Sequence, residues 1–323
     1  MKIKKRSIWG IIITVILLFI LLRFVSWAEI WATLQKLPFE ALVVAFFIYF
    51  LVYFFRTWRY YTLNLKNVKF SRLFSIIGLY NMVNVFLPFK TGEVGYAYLL
   101  NKDGITYSQG IATLIIARLF DVFSILSIFF IAFLFFESPS PRVGSFLLTF
   151  FIVVFVLIVS VILLVIHKNR FGVFANKIWK FFNIEENKVV LFLQKNAARV
   201  ADAVKFIGFG KRSFLVFFQS LILWGLMYYF AFFVLRSLGM ELTILQSVIG
   251  SSIALLLILI PIQGIAGFGT TEGALTIAFV VLGFQIDPVI LYSFSYHILS
   301  LFFSIIFGLL GLIMYRKPKT QFL

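Results

Sequence analysis

The chain has 323 residues, of which 62% are hydrophobic and 13% are charged, with a mean hydropathy of +1.06 and no cysteine. This composition excludes a soluble domain, and the lack of cysteine excludes disulfides and thiolate metal sites. The net charge of +17 would suggest nucleic-acid binding in a soluble protein. In a membrane protein, lysine and arginine accumulate on cytoplasmic loops, so no nucleic-acid partner is predicted.

Six uninterrupted apolar runs are each long enough to cross about 30 Å of hydrocarbon. In chain order they cover residues 8–26, 41–58, 106–136, 144–166, 213–236 and 287–315. Two further runs, 71–101 and 243–283, are each interrupted by a segment that contains proline and glycine. We therefore predict an all-α polytopic membrane protein, a single integral membrane domain over residues 1–323.

The two interruptions share one order of residue types, in which proline is followed by glycine and glutamate. The first contains Pro88, Lys90, Gly92, Glu93 and Gly95, and the second contains Pro261, Gly264, Gly267, Gly269 and Glu272. Unwound backbone is tolerated at membrane depth only where it lines a cavity or is buried in protein. Each interrupted run is therefore predicted to form a re-entrant helical hairpin, and the two hairpins to form a binding site.

The basic residues predict which side of the membrane each segment faces. Those in 2–6, 56–72, 168–212 and 316–319 are assigned to the cytoplasm, whereas the outer segments hold only Arg23, Lys36, Arg142 and Arg236. Both termini are then cytoplasmic, in the cell membrane, with the first run an uncleaved span rather than a signal peptide. The first hairpin enters from the cytoplasm and the second from outside. The halves, 8–136 and 144–316, thus have inverted topology, as in many transporters.

Basic and aromatic residues outside the hairpins have simpler interpretations. Residues 167–212 alternate lysine with apolar side chains at roughly helical spacing, which predicts amphipathic helices on the cytoplasmic face. This segment either binds anionic lipid head groups or is an ordinary positive-inside linker, and the second interpretation is favoured. Trp224, Tyr228 and Tyr229 are interpreted as packing or interface residues.

Ionisable residues inside the predicted membrane segments are functional candidates, because each costs about 2.5–3.5 kcal/mol at a helix centre. Five residues qualify: Glu93, Arg118, Asp121, Glu272 and His297. Arg118 and Asp121 are three positions apart on one helix face, where they can pair. Such a pair either holds the hairpin against its neighbour or lines a polar path.

Glu93 and Glu272 are each expected to begin the return arm of a hairpin, where the helix dipole favours a carboxylate. A plain helix cap would explain the same position. Glu93 precedes Arg118 by 25 positions and Glu272 precedes His297 by 25, which supports a repeat. His297 is either a hydrogen-bonded core residue or a proton carrier. Lys90, at the first hairpin tip, could meet a phosphate or pair with Glu93.

These motifs resemble the membrane domain of lysylphosphatidylglycerol synthases and of the standalone membrane proteins that share it. The matching segments are NVFLPFKTGE at 84–93, AYLL at 97–100, RLFD at 118–121, and Pro261 with GFGTTEG at 267–273. The resemblance covers about residues 8–316. It implies a lipid-translocating domain, which in the full-length synthases moves aminoacylated phospholipid. No aminoacyl-transfer domain is appended, so synthesis of such a lipid is not implied.

Three positions depart from the family's pattern. Tyr96 and His297 stand where the family often has arginine, and Ala266 stands where it often has a second glycine. Arginine is the natural bidentate partner of phosphate. The departures therefore weaken the expectation of an anionic phospholipid substrate.

The sequence as a whole predicts a lipid transporter, a flippase that moves a polar-headed lipid through a groove between the hairpins. The lipid would be a phospholipid or a polyprenyl-phosphate-linked molecule. Glu93 and Glu272 would contact the head group or a proton, and Arg118 with Asp121 would balance charge.

Three alternatives stay open: a proton- or sodium-coupled carrier of a soluble solute, a membrane-embedded lipid transferase, and a non-transporting partner of a lipid-linked glycosylation or envelope enzyme. The transferase is disfavoured because the chain has no recognisable pairing of nucleophile and base. Neither enzymatic activity nor a cofactor or metal is predicted.

Overall fold

The structure is a computed structural model that describes residues 19–63, 68–86, 92–138, 140–166, 210–258 and 265–315. Within these ranges the chain forms helices and no strand. The helices are α1 (Trp27–Gln35), α2 (Phe39–Leu63), α3 (Phe70–Phe86), α4 (Gly92–Asn101), α5 (Tyr107–Leu134), α6 (Pro141–Ile166), α7 (Lys211–Ser237), α8 (Ile244–Ile258), α9 (Thr270–Val281) and α10 (Ile286–Met314).

Four of the described helices, α2, α5, α7 and α10, are long and apolar enough to cross a membrane. The prediction of an all-α polytopic membrane protein is therefore confirmed. Helix α6 covers the predicted run 144–166, whereas most of the first predicted span, 8–26, lies outside the described residues. So does the predicted amphipathic segment up to residue 209.

The sequence did not predict α1. This short helix is fixed by a capping box, in which Ser26 Oγ accepts the Glu29 backbone N–H at 3.3 Å and the Glu29 carboxylate accepts the Ser26 backbone N–H at 2.7 Å. Trp27 and Trp31 are exposed on it, which suits an interfacial helix.

Both interrupted runs fold as pairs of short helices. Helices α3 and α4 have 17 and 10 residues, and α8 and α9 have 15 and 12. At about 1.5 Å per residue, none of them spans about 30 Å of hydrocarbon. Helix α3 packs against α4, and α8 against α9, so each run doubles back on itself as a hairpin. The connecting residues 87–91 and 259–264, with Pro88, Lys90, Pro261 and Gly264, lie outside the described residues.

The core joins the two halves of the sequence, because α2 packs along α7 and α3 packs along α10. Its centre is aromatic: the Tyr49 ring lies 4.9 Å from that of Phe230, and the Tyr53 ring stacks on Phe307 at 4.6 Å. At one end, Arg212 of α7 donates to the terminal carbonyl oxygens of α2, reaching Thr62 O at 2.6 Å. These carbonyls have no partner within the helix, so Arg212 acts as a cap.

Helices α3 and α10 approach so closely that glycine is required between them. A Cβ atom at Gly78 would lie 2.5 Å from the Phe307 carbonyl oxygen, and one at Gly311 would lie 2.8 Å from the Ser75 carbonyl oxygen. Such small-residue seams let helix backbones meet in a membrane, where apolar surface alone gives no reason for helices to associate.

Candidate functional site

Glu272 and His297 form a buried pair on the second hairpin. Glu272 is the third residue of α9, and its Oε2 accepts the backbone N–H of Gly269 at 2.7 Å. Its Oε1 lies 2.7 Å from His297 Nδ1 on α10. Glu272 is 0% exposed, and because an ionised carboxylate only accepts, Nδ1 is the donor of this bond when Glu272 is ionised. Glu272 therefore caps its helix and orients the imidazole at once.

The backbone before α9 turns sharply to make this arrangement. A 3₁₀ turn at Ile265–Gly267 places Ala266 at φ +51° and Gly267 at φ +77°. A Cβ atom at Gly267 would lie 2.8 Å from Thr271 Oγ1 and 3.5 Å from His297 Nε2. Glycine at 267 thus permits both the left-handed backbone and the close approach of the Thr271 hydroxyl.

A cavity of about 320 Å³ lies where the two hairpins meet. The first hairpin contributes Asn84 and Val85 at the end of α3, and the second contributes Gly267 and Thr271. His297 faces the same cavity from α10. We call this space, together with the Tyr49, Trp224 and Ser251 side chains that also line it, the central cavity. Polar groups at this depth need a cavity, because hydrocarbon offers them no partner.

Glu93 and Arg118 also form a pair, but outside the central cavity. Glu93 is the second residue of α4, and Arg118 Nη2 lies 3.4 Å from its Oε1 and 3.3 Å from Tyr80 Oη. Their side chains are 37% and 45% exposed. They line a second space of about 310 Å³ whose walls include Ala97 and Leu114, the outer groove. In the structure each glutamate thus contacts the ionisable residue 25 positions later in the sequence. One pair lies at the central cavity and the other in the outer groove.

Asp121 binds a partner that the sequence analysis assigned elsewhere. Its Oδ1 accepts hydrogen bonds from Arg59 and from Trp224 Nε1, the latter at 2.7 Å, while Arg118 Nη1 lies 3.9 Å from Oδ2. Arg59 was assigned to a cytoplasmic loop, but it is 2% exposed and also donates to Ser220 Oγ at 3.1 Å. Arg59 is thus part of the helix core, not of the positive-inside loop.

Trp224 is likewise more than a packing residue, since it donates to Asp121 and lines the central cavity. Through Asp121 and Arg118 it connects the central cavity with the outer groove at Glu93. Sequence reasoning missed Arg59 because it lies among other basic residues and was grouped with them as part of a cytoplasmic segment. The signal that could have found it is its position before the end of an otherwise apolar run.

Three more of the residues singled out from the sequence lie on α4 and outside the central cavity: Gly92, Gly95 and Tyr96. A Cβ atom at Gly92 would lie 2.8 Å from the Asn84 backbone nitrogen, so the two arms of the first hairpin meet there, while Gly95 faces open space. Tyr96 is buried, and its Oη lies 3.1 Å from Thr113 Oγ1. Across the described ranges, no group of three His, Asp or Glu side chains is arranged to hold a metal ion.

The family profile described as "Lysylphosphatidylglycerol synthase TM region" matches residues 7–308. The chain belongs to this family. A relative with a curated description, the UPF0104 membrane protein MJ1078 of Methanocaldococcus jannaschii, is 25% identical over 228 residues, which are 70% of this chain and 91% of the relative. No solved structure matches the chain. The family and the apolar helices together make this a multi-pass membrane protein with a lipid-related membrane domain.

Proposed function

We propose that the protein is a flippase that moves a polar-headed lipid across the cell membrane through the central cavity. The observation that carries this proposal is a cavity of about 320 Å³ that both hairpins bound and that polar side chains line in part. Moving a head group through hydrocarbon is costly because its polar groups lose their hydrogen bonds there. A cavity with hydroxyl, amide and imidazole groups replaces those bonds along the path.

The packing of the helices supports an inverted repeat as the transport architecture. Helix α4 packs against α5 as α9 packs against α10, and α3 packs against α10 as α8 packs against α5. The two ionisable pairs, Glu93 with Arg118 and Glu272 with His297, recur at equivalent places in this scheme. Both termini would then be cytoplasmic, and rocking of the halves would expose the cavity to each side in turn.

Lipid translocation in proteoliposomes tests the proposal. Chain-labelled fluorescent lipids are placed in both leaflets, and dithionite quenching measures how fast the inner-leaflet label reaches the outside. We expect the intact protein to translocate lipid, and Glu272→Gln and Glu93→Gln to lose most of that rate. Glu137→Gln, in an exposed loop, is the matched control and should keep it.

Two results would contradict the proposal. If no lipid moves, the protein is a solute carrier or a partner of another enzyme. If the two glutamate variants translocate like the control, the cavity and the hairpins are not the path.

A further inference from the structure

The central cavity contains buried polar atoms that lack partners among the described residues. Ser251 is 7% exposed, and its Oγ has no hydrogen-bond partner; the same holds for Asn84 Oδ1. Both residues line the central cavity, Ser251 from α8 and Asn84 from α3. A buried polar atom without a partner costs free energy, so two of them around one cavity indicate an occupant that forms hydrogen bonds.

His297 adds a third group, whose character is set by Glu272. In the neutral tautomer that donates from Nδ1 to the Glu272 carboxylate, Nε2 keeps its lone pair. The Nε2 edge lies beside Gly267, which lines the same cavity. The imidazole therefore offers an acceptor to the cavity, and the carboxylate behind it strengthens that acceptor.

These groups favour an occupant that donates hydrogen bonds and carries no negative charge. Asn84 Oδ1 and His297 Nε2 accept, and the Ser251 hydroxyl can accept or donate. A phosphate oxygen only accepts, and the Glu272 carboxylate, which is bonded to His297 at the cavity wall, would repel its negative charge. Hydroxyl groups satisfy the same three positions without that repulsion.

Aromatic rings form another part of the cavity wall. Trp224 lines it from α7, and Tyr49 and Tyr296 line it from α2 and α10. Their electron-rich faces attract C–H groups that neighbouring oxygens polarise, as on a sugar ring. The volume of about 320 Å³ lies at the lower end of small-molecule sites, which begin at about 300 Å³.

We propose that the central cavity takes an uncharged head group bearing several hydroxyls, of the glycosyl class, with Asn84, Ser251 and His297 as its hydrogen-bonding partners. This inference rests on the proposed function and names the substrate class of the same site. It assigns Glu272 a positioning role, since it acts on the head group through His297.

The test compares three chain-labelled lipids with identical acyl chains in proteoliposomes: monoglucosyl diacylglycerol, phosphatidylethanolamine and phosphatidylglycerol. The variants are Ser251→Ala and His297→Leu. Ser247→Ala is the matched control, because Ser247 lies one turn earlier on α8 and is also buried and unpaired, but does not line the cavity. A parallel arm measures uptake of radiolabelled glucose into the same vesicles.

We expect the glucosyl lipid to move at least about tenfold faster than the phosphate-headed lipids. Ser251→Ala should slow it by about fivefold, the loss expected for one hydrogen bond between uncharged groups. The rates with Ser247→Ala and the rates of the phosphate-headed lipids should stay unchanged. His297→Leu should abolish the preference for the glucosyl lipid. This variant also leaves buried Glu272 without its hydrogen-bond partner and can therefore impair folding. Ser251→Ala leaves that pair intact, so it tests the inference independently of folding.

The remaining outcomes separate the two proposals. If phosphate-headed lipids move and the glucosyl lipid does not, the glycosyl inference is wrong and lipid translocation stands. If only free glucose is taken up, in a manner sensitive to Ser251→Ala, the hydroxyl-binding cavity stands and lipid translocation fails. If neither glucosyl lipid nor glucose moves, the glycosyl inference is wrong.

Discussion

The ion pair between Arg59 and Asp121 lies where α2, α5 and α7 meet, with the two side chains 2% and 10% exposed. Trp224 supplies a further hydrogen bond to Asp121 and Ser220 accepts one from Arg59, while Arg59 Nε has no partner among the described residues. Both members belong to the first half of the sequence, and their hydrogen bonds with Trp224 and Ser220 join them to α7 of the second half. Without Asp121, Arg59 would lose its ion-pair partner, and without Arg59, Asp121 would keep only Arg118, whose Nη1 lies 3.9 Å from its Oδ2.

Removal of one member of this pair should be far more damaging than removal of both. We expect Arg59→Met or Asp121→Leu alone to lower the free energy of unfolding by about 3–5 kcal/mol. The double variant should lose much less than the sum, because no unpaired charge remains. Unfolding in mixed micelles by increasing SDS measures all three. Additive losses would show that the two charges do not depend on each other.

Ala266 holds a backbone conformation that L-residues avoid. Its φ of +51° lies in the left-handed region, which costs a non-glycine residue about 1–2 kcal/mol. We expect Ala266→Gly to raise the free energy of unfolding by up to about 1 kcal/mol. Relief of the backbone strain favours the folded state, but the greater conformational entropy of glycine in the unfolded chain offsets part of that effect. Ala274→Gly, inside α9, should lower it by about 1 kcal/mol. Equal effects in the same micelle assay would mean that position 266 is not strained.

At this scale the sequence indicated which ionisable residues are functional candidates, but not all of the contacts that they make. Spacing marked Glu272 with His297 and Glu93 with Arg118 as equivalent positions of a repeat, and in the structure the members of each pair meet. Arg59 was missed, because its partner comes from a helix that is distant in sequence and no periodicity reports such a contact. The unpaired Ser251 was missed for the same reason, since burial of one serine depends on the whole packing.

At the scale of the elements, the seam between α3 and α10 depends on the absence of side chains. A methyl group at Gly78 would meet a backbone carbonyl, which cannot move aside as a flexible side chain can. The helices would therefore have to separate and lose contact along the seam.

Gly78→Ala should consequently destabilise the protein by about 1–3 kcal/mol, the usual cost of overpacking. Gly225→Ala is the control, because a Cβ atom at Gly225 in α7 would meet nothing within 4 Å. That variant should be neutral or slightly stabilising, since alanine favours helix over glycine by about 1 kcal/mol. Thermal unfolding in detergent, followed by far-ultraviolet circular dichroism, measures both. A neutral Gly78→Ala would show that the seam is looser than described.

The two hairpins could be predicted from the sequence, whereas the helices that they pack against could not. Proline and glycine interrupt an apolar run in a way that local chain chemistry dictates, so the break was visible in the sequence. The packing of α3 along α10 joins residues more than 200 positions apart. Helix α1 escaped prediction because its nine residues are too few for a periodic pattern, although Ser26 and Glu29 carry a capping-box signature.

At the scale of the whole molecule, the inverted topology is open to a direct test, because the chain has no native cysteine. Lys102 follows the first hairpin and Ile286 follows the second, and both are exposed. We expect Lys102→Cys to react with a membrane-impermeant maleimide only after permeabilisation, and Ile286→Cys to react in intact cells. Glu137→Cys, in the loop before α6, is predicted to face outside and serves as a second external reference. Reaction of both test positions from one side would contradict the inverted repeat.

The topology prediction rests on counting basic residues in the segments between the spans. Arg59 was included in that count, although it is buried among the helices. A cation counts toward orientation only when it faces water near the membrane surface, and sequence alone does not report burial. The remaining cytoplasmic assignment includes Arg212, which caps α2.

The glycine seam and the paired helices α2 and α7 also bear on how the protein can be assembled. Each half offers the other a surface shaped at the level of backbone atoms, because the two most extensive helix contacts among the described residues, α2 with α7 and α3 with α10, both lie between the halves. Two separately translated fragments, 1–166 and 210–323, should therefore recognise each other in the bilayer and co-purify, as split membrane proteins do when association follows insertion. The same fragments carrying Gly78→Ala should complement poorly, which makes fragment complementation a genetic reporter of the seam.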